Sequence, residues 1–202
     1  MRVYQSVITQ TFVWLAIAML LAPSVALAHA EQGRVAGFLA GFSHPLSGWD
    51  HVVAMVAVGL WGAQLGAPAV WLLPVNFPMM MAVGGLLGLL GVPLPAVEIG
   101  IAVSALVLGL MVATEARPAL FLCMAMVGIF ALFHGHAHGT ELTPDTSALA
   151  YSLGFVVATG LLHGVGIAIG LVYTWPAGRR VIRGLGMLVA VAGVLFLWCA
   201  MV

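Results

Sequence analysis

The chain has 202 residues, of which 63% are hydrophobic and 6% are charged, and its formal net charge at pH 7 is zero. A mean hydropathy of +1.19 is typical of an integral membrane protein and excludes a soluble domain with a large core. The six basic residues are all arginine and are balanced by six acidic residues, so the chain offers no basic surface for nucleic acid.

Residues 1–28 have the three parts of a secretory signal peptide. Arg2 supplies the positive charge, an apolar run follows, and a small-residue Ala-x-Ala motif ends at Ala28. We predict cleavage after Ala28, which leaves His29 as the mature N-terminus and residues 29–202 as one membrane domain. An uncleaved signal anchor is the alternative, and it gives the rest of the chain the same orientation.

A membrane-spanning helix needs about 20 mainly apolar residues, and a series of segments after the signal peptide meets this requirement. Connections that contain proline, glycine or arginine separate them. The predicted spans are residues 35–64, 70–90, 96–113, 119–135, 148–173 and 181–201. We therefore predict an all-α integral membrane protein with six transmembrane helices after an N-terminal signal peptide.

The first segment is too long for one straight span, because about 30 residues of helix would reach roughly 45 Å. Pro45 lacks a backbone N–H donor and Gly48 weakens a helix, so we predict a break there. The chain from Trp49 onward would then cross the membrane. Broken helices are tolerated where they line a cavity in the protein, and in transporters they mark binding sites.

The segment around this break contains the first group of candidate metal ligands, which are His44, Asp50 and His51. In an unbroken helix the two histidines would lie about 10 Å apart along the axis, and a break would bring them together. Asp50 would either bind a metal directly or orient a histidine. A polar network that stabilises the broken helix without a metal is the alternative.

A second group of candidate ligands lies where the fourth predicted span ends. His134 and His138 are spaced i and i+4, which places them on one helical face and suits a single cation, whereas His136 would point the other way. Glu141 adds a carboxylate at the same end, and Glu98 adds another at the start of the third span. A solvated histidine-rich loop is the alternative interpretation.

The arginines predict the orientation of the chain in the membrane. The loops after the third and fifth spans contain four of them: Arg117, Arg179, Arg180 and Arg183. By the positive-inside rule these loops are cytoplasmic, so both mature termini and the loop with Glu141 and Asp145 face outward. Cys123 and Cys199 then lie in opposite leaflets and cannot form a disulfide bond.

Two further ionisable residues lie away from the outer side. His163 falls near or below the bilayer midplane in the fifth span. It is either a transit ligand for a metal or a buried histidine bonded to a helix carbonyl. Glu115 lies next to Arg117 at the cytoplasmic end, and we expect the two to form an ion pair rather than an exit site.

Under this topology most candidate ligands lie in the outer half of the protein. They are His29, His44, Asp50, His51, Glu98, His134, His136, His138 and Glu141. Ionisable side chains inside a membrane protein indicate a functional site by default. Imidazole and carboxylate together suit nickel, cobalt or zinc, so we expect a capture site for a divalent transition metal that opens outward.

Four features, in order along the chain, resemble the HupE/UreJ family of nickel permeases. They are the pattern His44-Pro-x-x-Gly-x-Asp50-His51, the Val97-Glu98 opening of the third span, residues 133–141 with the pattern Phe-His-Gly-His-Ala-His-Gly-x-Glu, and the pattern Leu162-His163-x-x-Gly166 of the fifth span. The resemblance covers the whole mature chain. It implies a six-helix permease that supplies nickel, or sometimes cobalt, across the inner membrane for hydrogenase or urease maturation. It also implies Ni²⁺ or Co²⁺ as a bound substrate, no prosthetic group, and the lipid bilayer as surroundings.

The residues alone leave two other interpretations open. A membrane metalloenzyme would chelate a metal through the amine and imidazole of His29, although the chain has no zincin motif or recognisable nucleophile constellation. Haem binding by paired helix histidines is the weaker interpretation, because the histidines cluster with carboxylates. The chain has no ATP-binding P-loop, so transport would not be driven directly by ATP. We further interpret the six spans as two inverted three-helix repeats with the site at their interface.

Overall fold

The computed structural model describes residues 29–142 and 146–202 of the chain, with side chains from Val35 onward. The predicted signal peptide and Asp145 therefore lie outside the described residues. Contacts between Cα atoms group Gly33–Val202 into one compact unit. His29 is placed only as a backbone position in the first helix.

Regular secondary structure within these described ranges is helical throughout, which confirms the predicted all-α class. The helices are α1 (His29–Ser47), α2 (Trp49–Leu65), α3 (Ala69–Leu89), α4 (Val97–Thr114), α5 (Leu120–Glu141), α6 (Ala148–Gly170) and α7 (Pro176–Met201). A short 3₁₀ helix, Leu171–Thr174, continues α6.

The predicted break in the first segment is confirmed, and it lies at Gly48. This residue has an extended backbone, with φ of −98° and ψ of 115°, between the end of α1 and the start of α2. Pro45 remains inside the last turns of α1. The Gly48 carbonyl accepts a hydrogen bond from the Val52 amide at 3.0 Å, so α2 begins a new helical ladder immediately after the break.

Five of the six predicted spans correspond to helices that are long and apolar enough to cross a membrane. They are Ala69–Leu89, Val97–Thr114, Leu120–Glu141, Ala148–Thr174 and Pro176–Met201. The chain is therefore a multi-pass membrane protein. The remaining predicted span corresponds to α2, which has 17 residues and is shorter than the usual 20 or so, so this span stays a prediction.

Three helix pairs form the bundle, namely α2 with α6, α3 with α5, and α4 with α7. Glycines let each pair approach closely, as is usual between membrane helices. A Cβ atom at Gly59 of α2 would lie 2.9 Å from the Cα of Gly166 on α6. A Cβ at Gly135 of α5 would overlap the Met81 carbonyl of α3, and one at Gly109 of α4 would lie 2.8 Å from the Ala190 Cα of α7.

Glu115 forms ion pairs with two arginines of α7 rather than with the predicted partner, Arg117. The Glu115 carboxylate lies 3.2 Å from the Arg179 guanidinium and accepts a hydrogen bond from the Tyr173 hydroxyl at 2.7 Å. Arg117 instead donates to the Gln64 carbonyl at 2.8 Å, a group left free at the end of α2. The Tyr173 hydrogen bond, and then the positive charge of Arg179, lower the pKa of Glu115, so this carboxylate stays ionised.

Candidate metal centre

The break at Gly48 brings two histidines of the first segment against two histidines at the end of α5. The ring centroid of His138 lies 4.6 Å from that of His44 and 4.7 Å from that of His51. The His51 and His134 centroids are 4.8 Å apart. These four side chains, which we call the histidine cluster, join the two predicted ligand groups into one site.

Asp50 holds the ring of His51 in place. One oxygen of its carboxylate lies 2.9 Å from the His51 backbone amide and 2.8 Å from the ring Nδ1. A carboxylate ionised at neutral pH only accepts hydrogen bonds, so both nitrogens donate to it. Asp50 therefore orients a histidine, which is the second of the two roles predicted for it.

His44, His138 and Glu141 form the group with the best geometry for a metal ion. Each offers one ligand atom, and these atoms lie within 4.8 Å of one another. The Glu141 carboxylate is 3.5 Å from Nε2 of His44 and 3.9 Å from Nδ1 of His138. Small side-chain movements would let two imidazoles and one carboxylate bind a single ion, a donor set that suits nickel, cobalt or zinc. We call these three residues the outer group.

A cavity of about 250 Å³ connects the histidine cluster to the surface. The metal-ligand side chains that line it are His44, Asp50, His51, Glu98, His138 and Glu141. Glu98 and Glu141 are exposed, whereas His138 is buried, so the cavity leads from solvent to buried imidazoles. Cys199 of α7 also lines the cavity, a position that its sequence context did not predict.

The pKa of His44 supports a ligand role for this residue. His44 is half-buried in α1, which is not among the helices that are long and apolar enough to span a membrane. Burial lowers the pKa of its ring below the ordinary value, and the nearby negative charge of Glu141 opposes this effect only in part. The ring is therefore neutral at physiological pH, which is the form that binds metal.

Aromatic rings enclose the histidine cluster on its buried side. The Phe155 centroid is 4.4 Å from that of His138, and the Phe77 centroid is 5.5 Å from that of His134. The Tyr151 ring lies 6.0 Å from that of His44. Nothing in the sequence predicted these contacts, because each depends on which helices pack together.

Ser104 is a further polar residue of the site that the sequence analysis missed. It is fully buried in α4, and its Oγ lies 3.0 Å from Nε2 of His134. Between Glu98 and Thr114 it is the single hydroxyl in an apolar helix. A lone hydroxyl in an apolar helix could have identified Ser104, because a polar side chain in a membrane helix usually has a hydrogen-bond partner in the bundle.

The structure leaves His136 and His163 outside the histidine cluster. His136 faces away from it, as its helical position predicted, and Nε2 lies 2.7 Å from the Val92 carbonyl in the α3–α4 connection. His163 is buried in α6, where its ring centroid is 5.4 Å from that of Phe77. The side chain of His29 is not among the described ones, so its predicted ligand role stays a prediction.

Neither ring nitrogen of His163 has a hydrogen-bond partner among the described residues. The Pro74 carbonyl is close enough to interact with the ring. Residue 78 is also proline and cannot donate to that carbonyl, so Pro78 leaves it without its usual helical partner. The structure thus brings the ring near a helix carbonyl and leaves both predicted roles of His163 open.

Comparisons with known proteins agree on one family. A family model described as HupE / UreJ protein matches residues 17–196 of the chain. The chain is also similar to a protein from Rhizobium leguminosarum bv. viciae named Protein HupE, with 47% identity over 178 residues. This alignment covers 88% of the chain and 92% of the relative. No solved structure shows a significant match.

Proposed function

Because the chain belongs to the HupE/UreJ family, we propose that it carries nickel, or cobalt, inward across the bacterial inner membrane. The family is generally associated with nickel and cobalt transport and with hydrogenase and urease. It is a transporter-type accessory family rather than a family of enzymes. The ion is therefore the substrate, and the proteins that use it are those that mature hydrogenase or urease.

One observation carries this proposal, namely the outer group of His44, His138 and Glu141 at one end of a membrane helix bundle. Two imidazoles and a carboxylate with ligand atoms within 4.8 Å of one another match the donors that nickel and cobalt accept. A buried cluster of ionisable side chains in a membrane protein is costly, and its presence therefore indicates a functional site. Its cavity supplies the access that a transported ion needs.

The charge distribution supports capture from the periplasmic side. The 18-residue helix α4 is about 27 Å long, with Glu98 in its first turn and Glu115 just after its end. The histidine cluster therefore lies at one end of the bundle, while Arg117 and Arg179 lie at the other. By the positive-inside rule the arginine end is cytoplasmic, which leaves both mature termini and the cavity on the periplasmic side.

Metal uptake in cells tests the proposal directly. We expect cells that lack other nickel transporters to accumulate nickel or cobalt at low external concentration when they express this chain. His138→Ala removes a central ligand and should reduce uptake at least tenfold. Loss of a residue that binds or orients a metal ligand typically lowers metal affinity by about 10–100-fold.

The matched control is Ser43→Ala, an exposed position next to His44 whose hydroxyl donates only to the Ala40 carbonyl. It should transport as well as the wild type, with equal amounts of both variants in the membrane. Uptake equal to that of vector-only cells by the wild type would reject the proposed transport. Undiminished uptake by His138→Ala would reject the outer group as its site.

A further inference from the structure

The ring nitrogens of His51 and His134 are not equivalent, because hydrogen bonds determine which nitrogen of each ring can bind a metal. A metal binds the ring nitrogen that carries a lone pair, and the hydrogen bond at the other nitrogen fixes which one that is. His134 is fully buried and His51 is almost so. Because solvent hardly reaches these two rings, we consider their hydrogen-bond partners among the described residues.

Ser104 determines the tautomer of His134. The serine hydroxyl has one hydrogen, and its Oγ lies 2.6 Å from the Ile101 carbonyl, which can only accept a hydrogen bond. The hydroxyl therefore donates to Ile101 and, at 3.0 Å, accepts a hydrogen bond from Nε2 of His134. His134 thus carries its hydrogen on Nε2 and its lone pair on Nδ1.

Asp50 selects the opposite nitrogen in His51. Its carboxylate accepts a hydrogen bond from Nδ1 of that ring at 2.8 Å, so the lone pair is on Nε2. Nε2 of His51 and Nδ1 of His134 are both buried, and neither has a hydrogen-bond partner in the described part of the chain. Buried polar atoms are rarely left unpaired, so these two lone pairs require an explanation.

The spacing of the two rings fits a shared ion. A histidine bound to a metal at about 2.0–2.1 Å has its ring centre about 3.2 Å from the ion, so two rings on one ion have centres roughly 4.5–5.2 Å apart. The His51 and His134 centroids are 4.8 Å apart, with the rings nearly perpendicular at 88°. The His44 and His138 rings of the outer group are 4.6 Å apart.

We propose that His51 and His134 form a second, inner metal position, and that Ser104 is the positioning residue that holds His134 for it. This inference rests on the proposed transport function and deepens it. The His138 ring lies 4.6 Å from His44 and 4.7 Å from His51, so an ion moves from the outer group to the inner position by exchanging ligands around His138. The inner ligands are imidazoles, with water completing the coordination, which favours nickel, cobalt or zinc over magnesium or calcium.

Nickel binding to the purified full-length protein in detergent, measured by equilibrium dialysis, tests the inner position. We expect two nickel ions per wild-type chain, and one in His134→Gln. Ser104→Ala leaves His134 without its acceptor, so the second ion should bind at least tenfold more weakly. Ser104→Thr keeps a hydroxyl and should restore it, and Ser43→Ala should bind two ions with wild-type affinities.

Nitrogen-15 NMR of histidine-labelled, metal-free protein tests the role of Ser104 separately from binding. His136 also carries its hydrogen on Nε2, because that nitrogen donates to the Val92 carbonyl. Beside the signal of His136, the wild type should show a neutral histidine with hydrogen on Nε2 that disappears in His134→Gln. In Ser104→Ala this signal should shift toward a mixture of both tautomers, a change that a purely structural role for the serine would not produce. If Ser104→Ala does not fold, the wild-type tautomer and the stoichiometry of His134→Gln still decide the matter.

The outcomes separate the two proposals. One nickel ion per wild-type chain, together with normal uptake in cells, overturns the inner position and leaves the transport function intact. Wild-type affinities for two ions in Ser104→Ala overturn the role of the serine. No nickel or cobalt bound and no uptake by the wild type would instead mean that the proposed function itself is wrong.

Discussion

Gly48 is the residue on which the geometry of the histidine cluster depends most directly. A Cβ atom at this position would lie 2.7 Å from the Asp50 carboxylate and 3.0 Å from Nδ1 of His51. Its φ of −98° is accessible to any residue, so space rather than backbone conformation demands glycine here. Gly48 was predicted to break the helix, and in the structure this glycine also makes room for the Asp50–His51 pair.

We expect Gly48→Ala to weaken nickel binding and low-concentration uptake roughly tenfold, because the new methyl group displaces the carboxylate that orients His51. Gly160→Ala is the matched control, since a Cβ there meets nothing within 4 Å and alanine is the better helix former. Nickel binding measured by equilibrium dialysis, and nickel uptake measured in cells, test this expectation on both variants. Equal values for Gly48→Ala and Gly160→Ala would mean that the Asp50–His51 pair tolerates displacement.

Residue spacing predicted most of the ligand types but not their partners. The rings of His44 and His51 both lie close to that of His138. The break in the first segment and the i, i+4 spacing on α5 could both be recognised in the sequence. Ser104 could not be assigned to His134 in the same way, because the two lie on different helices and their contact follows from packing alone. His136, by contrast, was predicted to point away by helical periodicity, and it does.

At the level of the helices, the break at Gly48 explains why the first predicted span is shorter than expected. Pro45 lacks the N–H that would bond the Gly41 carbonyl, and only two residues of α1 follow it. The 17 residues of α2 give a helix of about 26 Å, close to the roughly 30 Å thickness of the hydrocarbon core. Composition predicted a break, but only the packed structure shows that α1 ends as late as Ser47.

Helix α7 offers a direct test of the proposed outward orientation of the cavity, because Cys199 lines the cavity while Cys123 of α5 is completely buried. We expect a membrane-impermeant maleimide added outside intact cells to label Cys199, and added nickel to slow this labelling by crowding the cavity. Cys199→Ser should abolish labelling, since Cys123 is inaccessible. Labelling of Cys199 only after the membrane is opened would contradict a periplasmic C-terminus.

At the scale of the whole molecule, the inverted repeat stays a prediction, and the helix pairs have the symmetry that such a repeat requires. In such a repeat α2 corresponds to α5, α3 to α6 and α4 to α7. The contact between α2 and α6 then corresponds to the contact between α5 and α3, and the contact between α4 and α7 corresponds to itself. These are the three main pairs of the bundle. Three helices in each half would give the halves opposite orientations in the membrane, with the site at their interface. Sequence similarity between the halves is too slight to have predicted this pairing.

The route inward from the histidine cluster leads toward His163. Phe77 is fully buried between the two, with its ring centroid 5.5 Å from that of His134 and 5.4 Å from that of His163. An ion that left the cluster in this direction would next meet the ring of His163, whose nitrogens have no hydrogen-bond partner among the described residues and lie near the Pro74 carbonyl. In the proposed transport, the Phe77 side chain would have to move to let an ion pass, and the role of His163 as the transit ligand beyond it stays a prediction.

We expect His163→Ala to separate capture from transit. Nickel binding to the purified protein should stay near wild-type values, because His163 lies outside the cavity and the outer group. Translocation into vesicles that contain the reconstituted protein should slow about tenfold, which corresponds to roughly 1.4 kcal/mol in the barrier. Asp50→Asn should do the reverse and weaken binding first, because His51 loses its ionised acceptor. Lost binding in His163→Ala with full binding in Asp50→Asn would place the capture site around His163 and exclude the histidine cluster from that role.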